Sequence, residues 1–357
     1  MSLGRIRDVD YLIVGQGLAG TVFAALLFER ERSFVVVDDD HQTAASKSAG
    51  GIINPITGKR LNRPAMIGEL LQEAFSTYPM IERLLGGAPL FSRRNVLRLF
   101  TDDSEQQRWE IKRQLSEYKQ YVSPTYPEVP ANLDDTHGGF EITIAGQLDI
   151  RQLITRFRSL LKTQDRLLEV PFHYDQLRIS STAVEWRDVR AQYVIFCEGY
   201  RMRQNPYFNT IKLNPAKGEV LTLEAPDFGD SRIIQCGKWI FRNRSGEILA
   251  GTTYSWDRLD EAPTYAALDQ IRKGIQSFCK FHFEVRDHRA GVRAVTKADN
   301  RPIVGVHPNW PRLAILNGFG SKGALQAPFS ARQLLENLER NAYLHPEIAV
   351  CRPSLWK

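Results

Sequence analysis

Along the chain, hydrophobic positions come first as short unbroken runs. Residues 10–15 predict a strand buried on both faces, residues 18–29 a helix and residues 34–37 a second buried strand. A β-turn-α-β unit this compact, with no water-facing alternation in its strands, predicts a parallel sheet covered by helices on both sides. A Gly- and Ser-rich loop at 44–58 follows. Next come a helical pattern at 66–85, a strand at 95–100 and a polar helix at 105–121, where Ser104 and Gln107 have the spacing of a capping box. Residues 139–145 alternate like a strand, and Asp149 begins a helix to 162. Short β-rich runs at 167–170, 177–180 and 183–186 then lead to a fully buried strand at 193–197. From 219 to 253 the pattern predicts antiparallel strands, with turns at 227–231 and 244–246. A helix at 263–281, buried strands at 303–306 and 314–317, and a helix at 323–338 close the chain. The nucleotide-type segments lie at the start, middle and end, so the domains are expected to be discontinuous.

Composition changes this picture little. With 357 residues, 43% hydrophobic and 25% charged, the chain has the make-up of an ordinary globular protein of roughly two domains. Its longest strongly apolar run, 19–28, is about half of the ~20 residues that span a bilayer. No signal peptide is expected, because Asp8 and Asp10 precede the first apolar segment. Cys197, Cys236, Cys279 and Cys351 form neither a C-x-x-C pair nor a zinc spacing, which fits free thiols in the cytoplasm. The seven histidines likewise predict no metal site. A net charge of +6 favours anionic ligands, but the basic residues are scattered along the chain, as on a solvated surface.

The candidate chemistry begins at Gly15-Gln-Gly17-Leu18-Ala19-Gly20. Gly15 permits the tight turn, Gly17 lets the backbone approach a pyrophosphate, and Gly20 lets helix and strand pack closely. The helix that follows points its N–H groups and positive dipole end at the phosphates. Asp38, eighteen positions beyond Gly20 at the end of the second strand, is placed to accept hydrogen bonds from ribose hydroxyls and to repel a 2'-phosphate. Its neighbours Asp39 and Asp40 are expected to be surface charges.

Five blocks in order resemble the D-amino acid oxidase superfamily, which holds glycine oxidase, sarcosine oxidase and the flavin domain of a bifunctional tRNA-modifying enzyme. They are the glycine turn with Asp38, the loop 45–51, Gly146-Gln-Leu-Asp149, Val194-Ile-Phe-Cys-Glu-Gly199, and the stretch from Gly291-Val-Arg293 to Pro328. The resemblance covers nearly the whole chain. It implies an α/β fold, with a Rossmann-like FAD-binding domain (residues 1–90, 146–214 and 290–357) and an inserted antiparallel β-rich substrate domain (91–145 and 215–289). It also implies that Ser46, Lys47, Gly50 and Gly51 wrap the pyrophosphate and flavin, that Gly199 lies beside the adenosine half, and that the segment around His173 adds backbone contacts to the adenine. Gly318, Gly320, Ser321, Lys322 and Gly323 would form the last flavin contact, with the following helix stabilising reduced flavin by ~0.3 to 2 kcal/mol. Flavin hydroxylases share the opening motif, but they carry a Gly-Asp pair near this last helix that is absent from this sequence.

The chemistry implied is oxidation of the C–N bond of a small amino acid or N-substituted glycine, with oxygen or an unidentified acceptor taking the electrons. Arg293 matches the family arginine that pairs bidentately with the substrate carboxylate, an interaction of roughly 1.5 to 3 kcal/mol. The family's next residue is proline, whereas this chain has Ala294. A structural ion pair of Arg289 or Arg293 is the alternative. Lys322 is a candidate for favouring reduced flavin, while Trp239, Arg242 and Tyr254 fall where the family's sheet roofs the flavin. Two other readings stay open: a flavoprotein acting on a modified tRNA base, and a flavin-binding protein without turnover. The chain shows no separate RNA-binding domain, so nucleic acid is not the expected partner.

Overall fold

A computed structural model describes residues 6–40, 44–64 and 66–356. The expected domain limits at residues 1 and 357 therefore lie outside the described residues. The fold is α/β. It opens with strand β1 (Arg7–Val14), helix α1 (Leu18–Glu29) and strand β2 (Phe34–Val37), as the apolar runs require. These strands sit in a sheet ordered Ile303–His307, Trp310–Asn317, Val189–Phe196, β1, β2, Leu167–Leu168. The pairings from Trp310–Asn317 to Leu167–Leu168 are parallel; Ile303–His307 joins antiparallel at one edge, and Val184–Trp186 and Leu177–Ile179 add an antiparallel extension to Val189–Phe196. All four residues of β2 are buried, because helices and loops cover both faces. Helix α1 is apolar nearly all round, being enclosed by the sheet and by the helices Ile67–Leu85, Ile150–Thr163 and Gly323–Arg340.

A second, seven-stranded sheet runs in the order Glu284–Arg293, Ala216–Glu224, Ile248–Gly251, Lys238–Arg242, Ile233–Cys236, Val96–Leu99, Gly139–Ile142. It is antiparallel except where Ile233–Cys236 pairs parallel with Val96–Leu99, two strands with no hairpin between them. Helix Tyr265–Gln276 packs its Ile271 and Ile275 against the outer face, in a core with Leu221, Ile234, Ile240 and Ala250. The inner face turns toward the first sheet, and the candidate site lies between the two.

Two local expectations are corrected. The polar helix at 105–121 is broken into Asp103–Lys112 and Ser116–Lys119, and Leu115 between them has an extended backbone. Its N-cap is Asp102 and not Ser104: the Asp102 carboxylate accepts from Glu105 N at 2.9 Å and from Ser104 Oγ at 2.6 Å. Strand Glu284–Arg293, the longest among the described residues, carries no apolar alternation. It lies at the edge of its sheet, where its charged positions meet water.

Candidate active site

One cavity of about 1170 Å³ runs from the carboxyl ends of the parallel strands to the inner face of the second sheet. Val14, Val37, Cys197 and Asn317, each at or just past such a strand end, line it. Ligands of open α/β sheets bind at this position.

At the first strand end, Gly15 has φ +100°, a left-handed backbone that side chains rarely adopt, and a Cβ there would lie 2.6 Å from Cys197 O. Gly20 is off the cavity wall. A Cβ there would sit 1.9 Å from Gly15 O, so its part is the close packing of helix on turn. Gly17, Leu18 and Ala19 line the cavity at the amino end of α1, which has no acidic residue in its first turn and no side-chain cap from Gly17. Ser46, on the short helix α2 (Ala45–Ser48), reaches over this end and accepts from Leu18 N at 3.1 Å. An unneutralised helix N-terminus beside a hydroxyl is a site for a phosphate group.

Asp38 lines the same end. Its Oδ2 accepts from Gln16 N at 2.8 Å, and its Oδ1 accepts from Arg158 at 2.7 Å. Arg158 was not singled out in the sequence, although a charged residue beside Phe157 and Leu161 on the buried face of Ile150–Thr163 is a visible anomaly. Lys47 pairs with Asp40 at 2.7 Å, and Arg201 with Asp39 at 2.8 Å. Glu198 is a second unforeseen member. It accepts from the Tyr174 hydroxyl and from Asn205 Nδ2, and burial pushes its carboxyl up to about 7 against those bonds.

Gly50, Gly51, Gly199, Gly320, Ser321, Lys322 and Gly323 also line the cavity. Gly318 does not; it turns against Thr296 and Ile303 with φ +80°. His173 is exposed and off the wall, where its carbonyl accepts from Trp186 Nε1 at 3.0 Å. Its neighbours Val170, Pro171, Phe172 and Tyr174 line the cavity instead. Arg242 is displaced too. It donates to Gly246 O and Phe228 O at the far end of its strand, serving the turn rather than the site.

Arg293, Trp239 and Tyr254 all reach the cavity from the second sheet. The Trp239 ring lies against Gly50 and Gly251. The Arg293 guanidinium donates to Thr252 Oγ1 at 2.7 Å and Thr253 O at 3.1 Å, and stacks 4.5 Å from the Tyr254 ring centroid. It has no carboxylate partner among the described residues, whereas Arg289 pairs with Asp287 at 3.2 Å. Burial without a counter-ion lowers the Arg293 pKa from its ordinary value. Lys322 is similarly half-buried with no ion pair among the described residues, and desolvation lowers its pKa. Gly218, on the neighbouring strand, leaves the space that the guanidinium fills; a Cβ there would come within 1.8 Å of it.

The cradle suits a dinucleotide flavin. A helix end and Ser46 would meet the pyrophosphate, Asp38 the ribose, and the 319–323 turn the flavin ring, with a cationic chamber beyond. The family model described as FAD dependent oxidoreductase (DAO) matches residues 10–337. A glycine oxidase of Pseudomonas aeruginosa is 23% identical over 91% of this chain and 93% of its own length. The tRNA 5-methylaminomethyl-2-thiouridine biosynthesis bifunctional protein of Marinobacter nauticus is 24% identical over 95% of this chain, which spans 57% of that protein. The crystal structure of glycine oxidase from Geobacillus kaustophilus superposes with a TM-score of 0.80 at 16% identity, covering 98% of both chains. No described helix is long and apolar enough to cross a membrane.

Proposed function

The chain belongs to the DAO family of FAD-dependent oxidoreductases, and from that premise we propose that it oxidises the C–N bond of an amino acid or N-substituted glycine. The observation that carries this reading is the Arg293 guanidinium, half-buried at the cavity wall, held on two sides by Thr252 and Thr253, and without an acidic partner among the described residues. A half-desolvated cation in this state calls for an anion from outside the chain. A substrate carboxylate supplies it, as two charge-assisted bonds to a rigid fork.

FAD, held by the amino end of α1, Ser46 and the 319–323 turn, would supply the two-electron acceptor for the substrate α-carbon's hydride. The residues do the rest. Arg293 anchors the carboxylate and so fixes the α-carbon, with the Tyr254 ring and the two threonines holding the fork in one plane. Trp239 covers the chamber from the sheet side and keeps bulk water out. Lys322 brings positive charge to the cavity wall at the amino end of helix Gly323–Arg340, which would favour a reduced, anionic cofactor there. The product imine loses its amine to water, leaving a carbonyl compound and the free amine.

The test is anaerobic mixing of the FAD-loaded protein with single amino acids and N-methylated glycines. Loss of the oxidised-flavin absorbance is expected with at least one of them, and no loss with any would overturn the reading. Reoxidation by air or by an added quinone would then identify the acceptor. A second reading, action on a modified tRNA base, draws on the Marinobacter relative and on Tyr254 and Trp256, which stack 6.1 Å apart with about half of each exposed. It predicts tRNA binding that weakens steeply with salt. We place the protein in the cytoplasm, in keeping with its four free thiols.

A further inference from the structure

The cavity is segregated by charge. Its acidic lining residues, Asp38, Asp39 and Glu198, all lie at the nucleotide end, at the close of β2 and of Val189–Phe196. The part roofed by the second sheet is lined by Arg98, Lys238 and Arg293, with Lys59 and Lys322 facing from the first domain, and by no carboxylate among the described residues. Glu105 answers Arg98 from behind, and one carboxylate on Arg293 still leaves Lys59, Lys238 and Lys322 without an acidic partner among the described residues.

Strand register shows where a second group would go. Trp239 pairs with Gly251 on one side and Gln235 on the other, and Gln235 pairs with Arg98. Gln235 and Arg98 therefore sit side by side on strands beyond Trp239, on the opposite side of that ring from the edge strand carrying Arg293. Asn54, buried in the loop after Gly51, donates to Gln235 Oε1 at 3.3 Å and lines the same stretch. Arg98 is 4% exposed. It pairs with Glu105, whose other oxygen is occupied by Thr101 N and Oγ1, and its Nε has no hydrogen-bond partner. A buried guanidinium with donors to spare, an amide and a second amide make up a site for hydrogen-bond-accepting oxygens.

We propose that Arg98, Gln235 and Asn54 form a second subsite, across Trp239 from Arg293, that binds a distal carboxylate of the substrate. The substrate is then an amine with acidic groups at both ends rather than glycine or its methyl derivative. This rests on the amine-oxidation reading, with Arg293 holding the first carboxylate. The second carboxylate is carried either on the nitrogen substituent or on the amino-acid side chain, and both arms are tested.

The experiment uses the FAD-loaded protein and pairs of ligands matched in length. N-(carboxyalkyl)glycines are set against N-alkylglycines, and aspartate and glutamate against norvaline and norleucine. Dissociation constants are read anaerobically from the flavin spectrum and from calorimetry. In one of the two series the acid-ended ligand should bind about 10- to 100-fold more tightly than its alkyl partner, the range expected of a charge-assisted bond. Gln235→Glu, which puts beside Arg98 a carboxylate that repels the ligand's own, should remove that advantage and leave alkyl-ended ligands within about 3-fold. Gln235→Leu should reduce it without reversing it. Equal binding of acid- and alkyl-ended ligands by the wild type, or equal weakening of both by Gln235→Glu, overturns the subsite. If alkyl-ended amino acids still reduce the flavin in that case, only the subsite fails. If no member of either series reduces it, the amine-oxidation reading fails, and the subsite with it.

Discussion

Gly218→Ala separates site geometry from stability. The added Cβ would fall 1.8 Å from Arg293 Nη2 and 2.1 Å from Cζ, well inside contact distance. The clashing atoms are the end of a flexible side chain, so the guanidinium swings away rather than the strand unfolding. The backbone of Gly218 lies in regular antiparallel pairing with Gly291, and alanine is at home there. Alanine also restricts the unfolded chain, which offsets part of any loss by about 0.4 to 1 kcal/mol. The fold should therefore hold, with a melting temperature within a few degrees of wild type. The bonds from Arg293 to Thr252 Oγ1 and Thr253 O are lost, and with them the aim of the fork. A displaced fork forfeits roughly 1.5 to 3 kcal/mol of carboxylate binding, or about 10- to 150-fold in kcat/KM. The assay is anaerobic flavin reduction by an amino acid and by its primary amide. Wild type should favour the acid, and Gly218→Ala should bring the two rates together while FAD binding is unchanged. A variant with wild-type preference for the acid would show that Arg293 does not hold the carboxylate. A variant that loses FAD would show that the glycine serves the fold.

Two further predictions concern the nucleotide end. Gly15→Ala puts a Cβ 2.6 Å from Cys197 O at φ +100°. The strain, on the order of 1 to 3 kcal/mol, should lower the melting temperature and weaken FAD at least tenfold in a fluorescence titration; unchanged affinity would remove Gly15 from the cradle. Glu198 has its carboxyl raised to about 7 by burial, so the folded state holds a proton that the unfolded chain releases near its usual 4.5. Its contribution is fully present below pH 4.5 and is lost as pH rises through 7, by up to about 3 kcal/mol. Thermal melts of wild type should fall over that window more than those of Glu198→Gln, and parallel curves for the two would refute the assignment.

The parts of the fold legible in the sequence were those set by burial on all sides. Helix α1 and strand β2 match their apolar runs residue for residue, because burial on nearly all sides leaves them apolar but for Thr21, which is hydrogen-bonded, and the terminal Glu29. Glu284–Arg293 was invisible as a strand, since an edge strand with one wet side tolerates Arg286, Asp287 and His288. That strand nevertheless ends in Arg293, and only the family resemblance drew attention to it. The supports of Arg293 come from elsewhere in the chain. Thr252 and Thr253 follow the strand Ile248–Gly251, one strand beyond the neighbour of Arg293's own, and their role depends on a register that no local pattern encodes. Gly218 was within reach, because a glycine inside a strand signals close approach of another group. Arg242 was misplaced for the complementary reason: it shares a strand with Trp239, but three positions on, it serves the turn beyond.

The central claim is that Arg293 holds the carboxylate of an amine whose oxidation reduces the bound flavin. Its most direct measurement is an anaerobic titration of FAD-loaded wild type and Arg293→Met with the best amino acid found and with its amide. Wild type should be bleached by the acid at far lower concentration than by the amide. Arg293→Met, with an unaltered flavin spectrum, should need similar concentrations of both. Bleaching of Arg293→Met by the acid at the wild-type concentration would contradict the account.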